Sequence, residues 1–271
     1  MRFKALALDL DGTLLTSRED VSERNLAALA TARASGLQII LASARWFQLA
    51  ERVARRVEAA PPVIACSGAQ VRRLDDGRDL LDLRLPAAFA AAVFAICDAN
   101  RCIATFGLDE TVAIKVDNAP ATSLAPAEMH FVSSLAGTVQ EQPRIGLIQG
   151  SETCRLIREQ LAPAWSDRVH FITSMSSHGK PILTLTAMGA HKGVALQVAC
   201  ADLGIETADV VAFGDSENDI EMFKVAGASV AMGQADGALK AAATYVSARH
   251  DQDGVALAIE RLLAEGDLAS G

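Results

Sequence analysis

Apolar residues in this chain follow two rhythms. Short unbroken runs such as FKALALDL, LQIILA and DVVAFG alternate with longer stretches in which apolar positions recur every three or four residues. The first kind reads as strands buried on both faces, the second as helices with one buried side. In the N-terminal part the pattern predicts a strand over 3–9, a helix over 22–35 ended by Gly36, a strand over 37–42, a helix over 46–58 and a strand over 62–66. A hairpin follows, QVRRL and RDLLDLRL around Asp75-Asp76-Gly77, because Asp-Gly tolerates the positive φ of a tight turn. From Pro86 the texture changes. An alanine-rich helix over 86–99 precedes alternating strands CIATFG and TVAIKVD, a helix around 126–136, strand RIGLIQG, a helix over 151–162 and strands VHFITS and ILTLTA. The first rhythm then resumes with a helix over 192–203, a strand over 209–214, a helix over 217–225 and a tail of shorter elements. Strands and helices in alternation build a parallel sheet. The expected fold is therefore α/β: a doubly wound, Rossmann-like parallel-sheet core from residues 1–83 and 185–271, with an inserted α+β cap domain over 84–184.

Four segments carry candidate chemistry, all where a strand gives way to a turn or helix. In ALDLDGTLL, Asp9 and Asp11 stand two apart at a strand's end, so both can look out on one side, and Gly12 lets the chain turn past them. Two carboxylates at such spacing suit either a general acid beside a carboxylate nucleophile or a hard cation held by oxygens; a bare Asp-x-Asp-Gly is also an ordinary turn. LQIILASAR ends in Ser43, where a hydroxyl and backbone N–H groups suit a phosphate, although Ser before a helix is equally a cap. GAHKGVAL places Lys192 at a helix start, where its charge opposes the helix dipole and needs a partner. VVAFGDSENDIEMF sets Asp215, Glu217, Asn218 and Asp219 at a strand tip, an oxygen-rich group suited to Mg²⁺ or to capping.

Composition narrows the classes. A chain of 271 residues that is 51% hydrophobic has enough material for a full core plus an insert. Its net charge of −8 and pI near 5.2 argue against a nucleic-acid or anionic-membrane surface, and Arg52, Arg55 and Arg56 read as the wet face of one helix. Apolar runs such as PAAFAAAVFAIC are too short to cross a bilayer, which takes about 20 residues. Five cysteines without C-x-x-C spacing read as reduced thiols, and with no signal peptide in view a cytoplasmic location is expected. His191, beside Lys192, is expected to cap or to face solvent rather than to ligate.

Together and in this order, DLDGTLL, LASAR, the Lys192 helix and GDSENDIEMF resemble the haloacid dehalogenase superfamily of aspartate-nucleophile phosphatases. The tail GASVAMGQADGALKAAATYVSARHDQDGVALAIE is similar to that of its Cof-type, or class IIB, branch. The resemblance covers roughly residues 1–80 and 185–265. It implies Mg²⁺-dependent hydrolysis of a small phosphorylated metabolite, a sugar phosphate or a cofactor phosphate, through an aspartyl-phosphate. Asp9 would be the nucleophile and Asp11 the acid/base, Ser43 and Lys192 would hold phosphoryl oxygens, Asn218 would bond phosphate or brace Lys192, and Asp9, the Asp11 carbonyl, Asp215 and Asp219 would hold or orient the metal. Two positions depart from the common pattern: Ala44 stands where relatives have Gly, and Ser67 where they often have Asn. In the insert, Lys115, Asp117, Asn118, His178 and Lys180 are the positions considered for substrate contact, with His178 and Lys180 favoured because SMSSHGKP is polar and precedes re-entry into the core. Alternatives of other kinds are a phosphomutase built on a similar core and a ligand-binding regulator without turnover; a receiver-type signalling domain would not need so large an insert.

Overall fold

The computed structural model describes residues 2–116, 126–175 and 181–268. It divides into two units, one of residues up to Leu81 together with His191 onward, the other Asp82–Ala190.

The first half of the first unit holds β1 (Ala5–Leu8), α1 (Glu23–Ala34), β2 (Gln38–Leu41), α2 (Phe47–Arg56), β3 (Pro62–Ala65), β4 (Gln70–Arg73) and β5 (Asp79–Asp82). The second unit holds α3 (Ala87–Ala99), β6 (Ile103–Gly107), β7 (Val112–Val116), β8 (Met129–Phe131), α4 (Leu135–Thr138), β9 (Ile145–Gln149), α5 (Ser151–Trp165), β10 (Val169–Met175) and β11 (Pro181–Ala187). The chain returns to the first unit with α6 (Lys192–Leu203), β12 (Val210–Gly214), α7 (Ile220–Val225), β13 (Ala228–Ala231), α8 (Gly237–Ala242), β14 (Tyr245–Val246) and α9 (Gly254–Glu265).

In the first unit the order β14-β13-β12-β1-β2 is parallel throughout. Its strands are buried on both faces, which is why they read as unbroken apolar runs rather than alternating ones. Ala5, Ala7, Ile40 and Ala212 pack with Leu196 and Ala199 of α6 and with Met222 and Phe223 of α7. Leu6, Leu8, Ile39, Val211 and Phe213, fully or almost fully buried, turn to the other face. There the buried Asn25 of α1 accepts from Ala256 N of α9 at 2.9 Å and donates to Leu14 O, so one polar side chain ties two helices to the loop after β1. The α/β core expected from the sequence is present, and β3-β4-β5 adds the predicted hairpin as an antiparallel sheet.

The second unit is a six-stranded sheet, β10-β11-β9-β6-β7-β8. Pairing is antiparallel except between β7 and β8. Phe89 and Phe94 of α3 pack with Phe106, Ile148, Leu183 and Leu185 of the sheet, and Phe94 meets Phe106 edge-on at 4.8 Å. Three readings from the sequence are corrected here. The helix expected around 126–136 is a short strand, β8, followed by the single turn α4; Asp98 accepts from Leu135 N and Ala136 N and so starts that turn late. The unit reaches Ala190 rather than 184, because β11 is paired along its length with β10 and belongs to their sheet. Lys115, considered for substrate contact, is 5% exposed and donates to Asn100 O at 3.4 Å, an interior position. Asp117, Asn118, His178 and Lys180 lie outside the described residues. Among the described residues no helix is long and apolar enough to cross a membrane.

Candidate active site

Parallel register gathers the candidate residues. Leu8 pairs with Leu41 on one side and Phe213 on the other, so the residues just beyond these, Asp9, Ser43 and Asp215, emerge at the same edge of the sheet. Asp9 N still donates to Phe213 O at 3.1 Å, which holds the first residue of the loop in the sheet. Carboxyl ends of central strands are where such sheets place their ligands. Gly12 takes φ +76°, and a Cβ there would sit 2.1 Å from Asp215 Oδ2, so this glycine serves both the turn and a close approach.

Lys192 is wholly buried, its Nζ 2.6 Å from Asp9 Oδ1 and 2.6 Å from Asp219 Oδ1. That answers the objection to a cation at a helix start: two carboxylates outweigh the dipole. His191 caps the same helix, its Nδ1 accepting from Val194 N at 3.3 Å, in keeping with the capping role expected of it. Asp219 Oδ2 accepts the N–H groups of Asp215 and Ser216 at 3.0 and 3.1 Å, so both of its oxygens are engaged, one by Lys192 and one by the turn it caps. The side chains of Asp9 and Asp215 retain more open lone pairs.

Charge does not balance among these groups. Burial pushes the Asp9 carboxyl well above the usual range, opposed by Lys192 and reinforced by Asp219 and Asp215. Burial and then Asp219 push Asp215 up to about 6. Burial works against the Lys192 ammonium, but Asp219 and Asp9 outweigh it, so its pKa rises. Three carboxylates face one ammonium, and Asp9, Asp215 and Asp219 each bring an oxygen within 4.8 Å of the others. A donor set made only of anionic oxygens, with negative charge in excess, fits a hard divalent cation.

Other predicted residues sit differently. Asp11 is turned away from the carboxylate cluster, 55% exposed, and takes a bidentate pair from Arg45, Nε to Oδ2 at 2.8 Å and Nη2 to Oδ1 at 2.6 Å. Its side chain is thus not among the clustered carboxylates. Ser43 is fully buried, and its Oγ accepts from Arg45 N at 3.0 Å. Asn218 accepts from Ser216 Oγ at 2.8 Å and braces the turn; the brace on Lys192 that was expected of it comes from Asp219 instead, whose carboxylate attracts an ammonium more strongly than an amide does. Ala44 is absent from the positive-φ residues, so alanine in the usual glycine place strains nothing.

In the sequence Ser67 stands out only as a departure from the usual Asn. Cys66, Ser67 and Gly68 take φ of 52°, 56° and 92°, a left-handed run that carries Cys66 N to Arg45 O at 2.8 Å and Ser67 N to Ser43 O at 3.0 Å. A Cβ on Gly68 would lie 2.4 Å from the carbonyl carbon of His191 and 2.8 Å from Lys192 N. This run therefore docks the Ser43 loop against the start of α6. Gly68→Ala should lower stability by about 2–5 kcal/mol, left-handed strain plus overpacking, and shift Lys192; a urea unfolding midpoint equal to that of the parent would contradict this packing. Arg45, Gln234 and His250 also enter the site and were given no role from the sequence. The SAR triplet and the AMGQADG stretch were visible, but nothing local says what those side chains touch.

Known proteins resemble this chain over nearly its whole length. The model of the haloacid dehalogenase-like hydrolase family matches residues 6–259. The chloroplastic endoribonuclease YBEY of Arabidopsis thaliana is 28% identical over 290 residues, covering 96% of this chain, although the chain spans only 46% of that protein's length. The Bacillus subtilis 5-amino-6-(5-phospho-D-ribitylamino)uracil phosphatase YwtE is 27% identical over 287 residues, 96% of this chain and 98% of its own. Among solved structures, a haloacid dehalogenase-like hydrolase from Bacteroides thetaiotaomicron superposes with a TM-score of 0.82 at 24% identity, covering 96% of this chain and 99% of that one. A subclass IIB sugar phosphatase superposes with a TM-score of 0.78 at 23% identity, covering 96% and 98%.

Proposed function

Because the chain belongs to the haloacid dehalogenase-like hydrolase family, we propose that it is a Mg²⁺-dependent phosphatase that cleaves a small phosphorylated metabolite through an aspartyl-phosphate on Asp9. The observation that carries this reading is the buried Asp9–Lys192–Asp219 ion triad at the end of β1, beside the Asp215 carboxylate. Lys192 occupies Asp9 Oδ1, which leaves Oδ2 as the oxygen that attacks phosphorus while the P–O bond to the leaving group breaks. A carboxylate is a weak nucleophile, so the site must work through alignment and charge. Ser43 and Lys192 hold phosphoryl oxygens. Asp11 gives its proton to the leaving oxygen and later takes one from the attacking water, and it must part from Arg45 to do so.

Asp9 and Asp215, with the Asp11 carbonyl and under the orientation imposed by Asp219, would hold the cation, which supplies positive charge to the phosphoryl oxygens. Unit Asp82–Ala190 acts as the cap that selects the leaving group, with His178 and Lys180 the residues proposed to touch it. The uracil-linked ribityl phosphate handled by the B. subtilis relative supports a sugar- or cofactor-phosphate substrate. Free thiols at Cys66, Cys97, Cys102, Cys154 and Cys200 suit a reducing cytoplasm.

A phosphate-release screen over phosphorylated metabolites, with and without chelator, tests the proposal. Chelator should stop release and Mg²⁺ should restore it; full turnover in excess chelator would refute the metal site. A proton linkage should accompany this. With a folded-state value near 6 against an ordinary 3.8, Asp215 holds a proton in the metal-free fold that the unfolded chain has lost. Asp215 therefore costs the metal-free protein stability as pH rises from 3.8 to about 6, and the raised Asp9 carboxyl adds a loss of the same sign. Mg²⁺ needs the ionised forms, so its stabilisation, about 2.7 kcal/mol at a hundredfold excess over Kd, grows as pH rises and fades as pH falls through these raised values. Thermal unfolding at pH 5 and 7.5 should show the larger Mg²⁺-induced rise in Tm at pH 7.5; equal rises would contradict the linkage.

A further inference from the structure

We infer that Gln234, in the loop after β13, is a positioning residue that locks the nucleophile-bearing loop to Asp215. Its amide has one orientation open to it. Nε2 donates to Gly12 O at 2.5 Å and faces Asp215 Oδ2 at 3.4 Å, while Oε1 accepts from His250 N at 3.1 Å. Two acceptors on one side and a donor on the other fix the amide without ambiguity, since a flip would set oxygen against oxygen and N–H against N–H. His250 continues the clamp, its Nδ1 donating to Leu15 O at 2.9 Å. The Gly12 and Leu15 carbonyls, on the loop that follows Asp9, are thus held by two side chains, and Gln234 is bonded to the His250 backbone.

The place of this clamp is what gives it a consequence. Asp215 Oδ2 lies so close to Gly12 that no Cβ fits between them. Gln234 is the one side chain among the described residues that bonds both the turn after Asp9 and the Asp215 carboxylate. With it removed, the Gly12 carbonyl loses its donor and Asp215 a neighbour that directs its oxygen, so the Gly12 turn and the Asp215 carboxylate are no longer joined through one side chain. The inference rests on the reading that Asp9 and Asp215 share a cation.

The test is Mg²⁺ binding to the chelator-treated full chain by isothermal titration calorimetry, compared between parent, Gln234→Leu and Gln234→Asn. Leucine keeps most of the volume but neither bond; asparagine keeps the amide one methylene short. Gln234→Leu should weaken Mg²⁺ at least tenfold, in line with loss of a group that orients a metal ligand. Asparagine should fall between it and the parent, while Tm without metal changes little. Reduced kcat should persist at saturating Mg²⁺ because the loop that carries Asp9 is also loosened. If Gln234→Leu does not fold, Gln234→Asn alone decides, through its Mg²⁺ affinity relative to the parent. A variant with parental Mg²⁺ affinity and kcat overturns the inference. A parent that binds no Mg²⁺ instead sinks the metal reading on which it rests, and the two failures are told apart by the parent titration.

Discussion

Asp9→Asn should lower phosphate release on the order of 10⁴-fold or more, the scale seen when a group that bonds the reacting atom is removed, while the protein stays folded. The amide fills the same volume but has no anionic oxygen to attack phosphorus. Stability should hold or rise in metal-free buffer, for a physical reason specific to this site. Burial already raises the Asp9 carboxyl, and Asp219 and Asp215 add repulsion, so replacing one of three crowded carboxylates relieves strain. Lys192 keeps a charged partner in Asp219 at 2.6 Å. Mixing the variant with substrate and Mg²⁺ and weighing the intact protein should reveal no added phosphoryl group, whereas the parent, quenched in acid, should show one. A variant that turns over near the parental rate would refute the covalent route through Asp9.

Lys192→Met should have the largest effect on stability. The ammonium is fully buried between Asp9 and Asp219, and truncating one member of a buried charged group leaves the others desolvated and uncompensated, at a cost of about 3–5 kcal/mol. For a protein of this size that is about 6–20 °C in Tm. The sign with pH follows from the same geometry. Without Lys192 the buried carboxylates take up protons more readily in the folded state, so the deficit is largest at neutral pH and shrinks as pH falls through their raised values. Mg²⁺ should recover part of it by returning positive charge, but turnover should not return, because the ammonium proposed to bind the phosphoryl group is gone. Thermal unfolding at pH 5 and 7.5, with and without Mg²⁺, reads all of this; a Tm within a degree or two of the parent at pH 7.5 would mean the triad carries little of the stability.

Much of this was legible before the structure because it depends on neighbours in sequence. The Asp9-x-Asp11-Gly12 turn, the acidic tip at 215–219 and the alternation of apolar runs with helical stretches are set within a few residues by the two-residue period of a strand and by glycine's access to positive φ. Where local preference was weak, the reading slipped. The segment 126–136 has enough apolar residues for a helix, yet the free edge of β7 captured Met129–Phe131 as a strand, and Asp98 delayed the helix that follows.

The sequence by itself determined the alternation of strands and helices in the core and which residue types stand at its strand ends, and hence the family and the class of chemistry. Only the tertiary structure decided who bonds whom. Lys192 reaches Asp9 across 183 positions, Asp219 rather than Asn218 braces that ammonium, Asp11 turns to Arg45, and Gln234 ties Gly12 to Asp215 from 222 residues away. Such pairings carry no local signature. They follow from the register of β1 between β2 and β12, which sets the loop ends side by side, and from the need of each buried charge or amide to find a partner once water has been excluded.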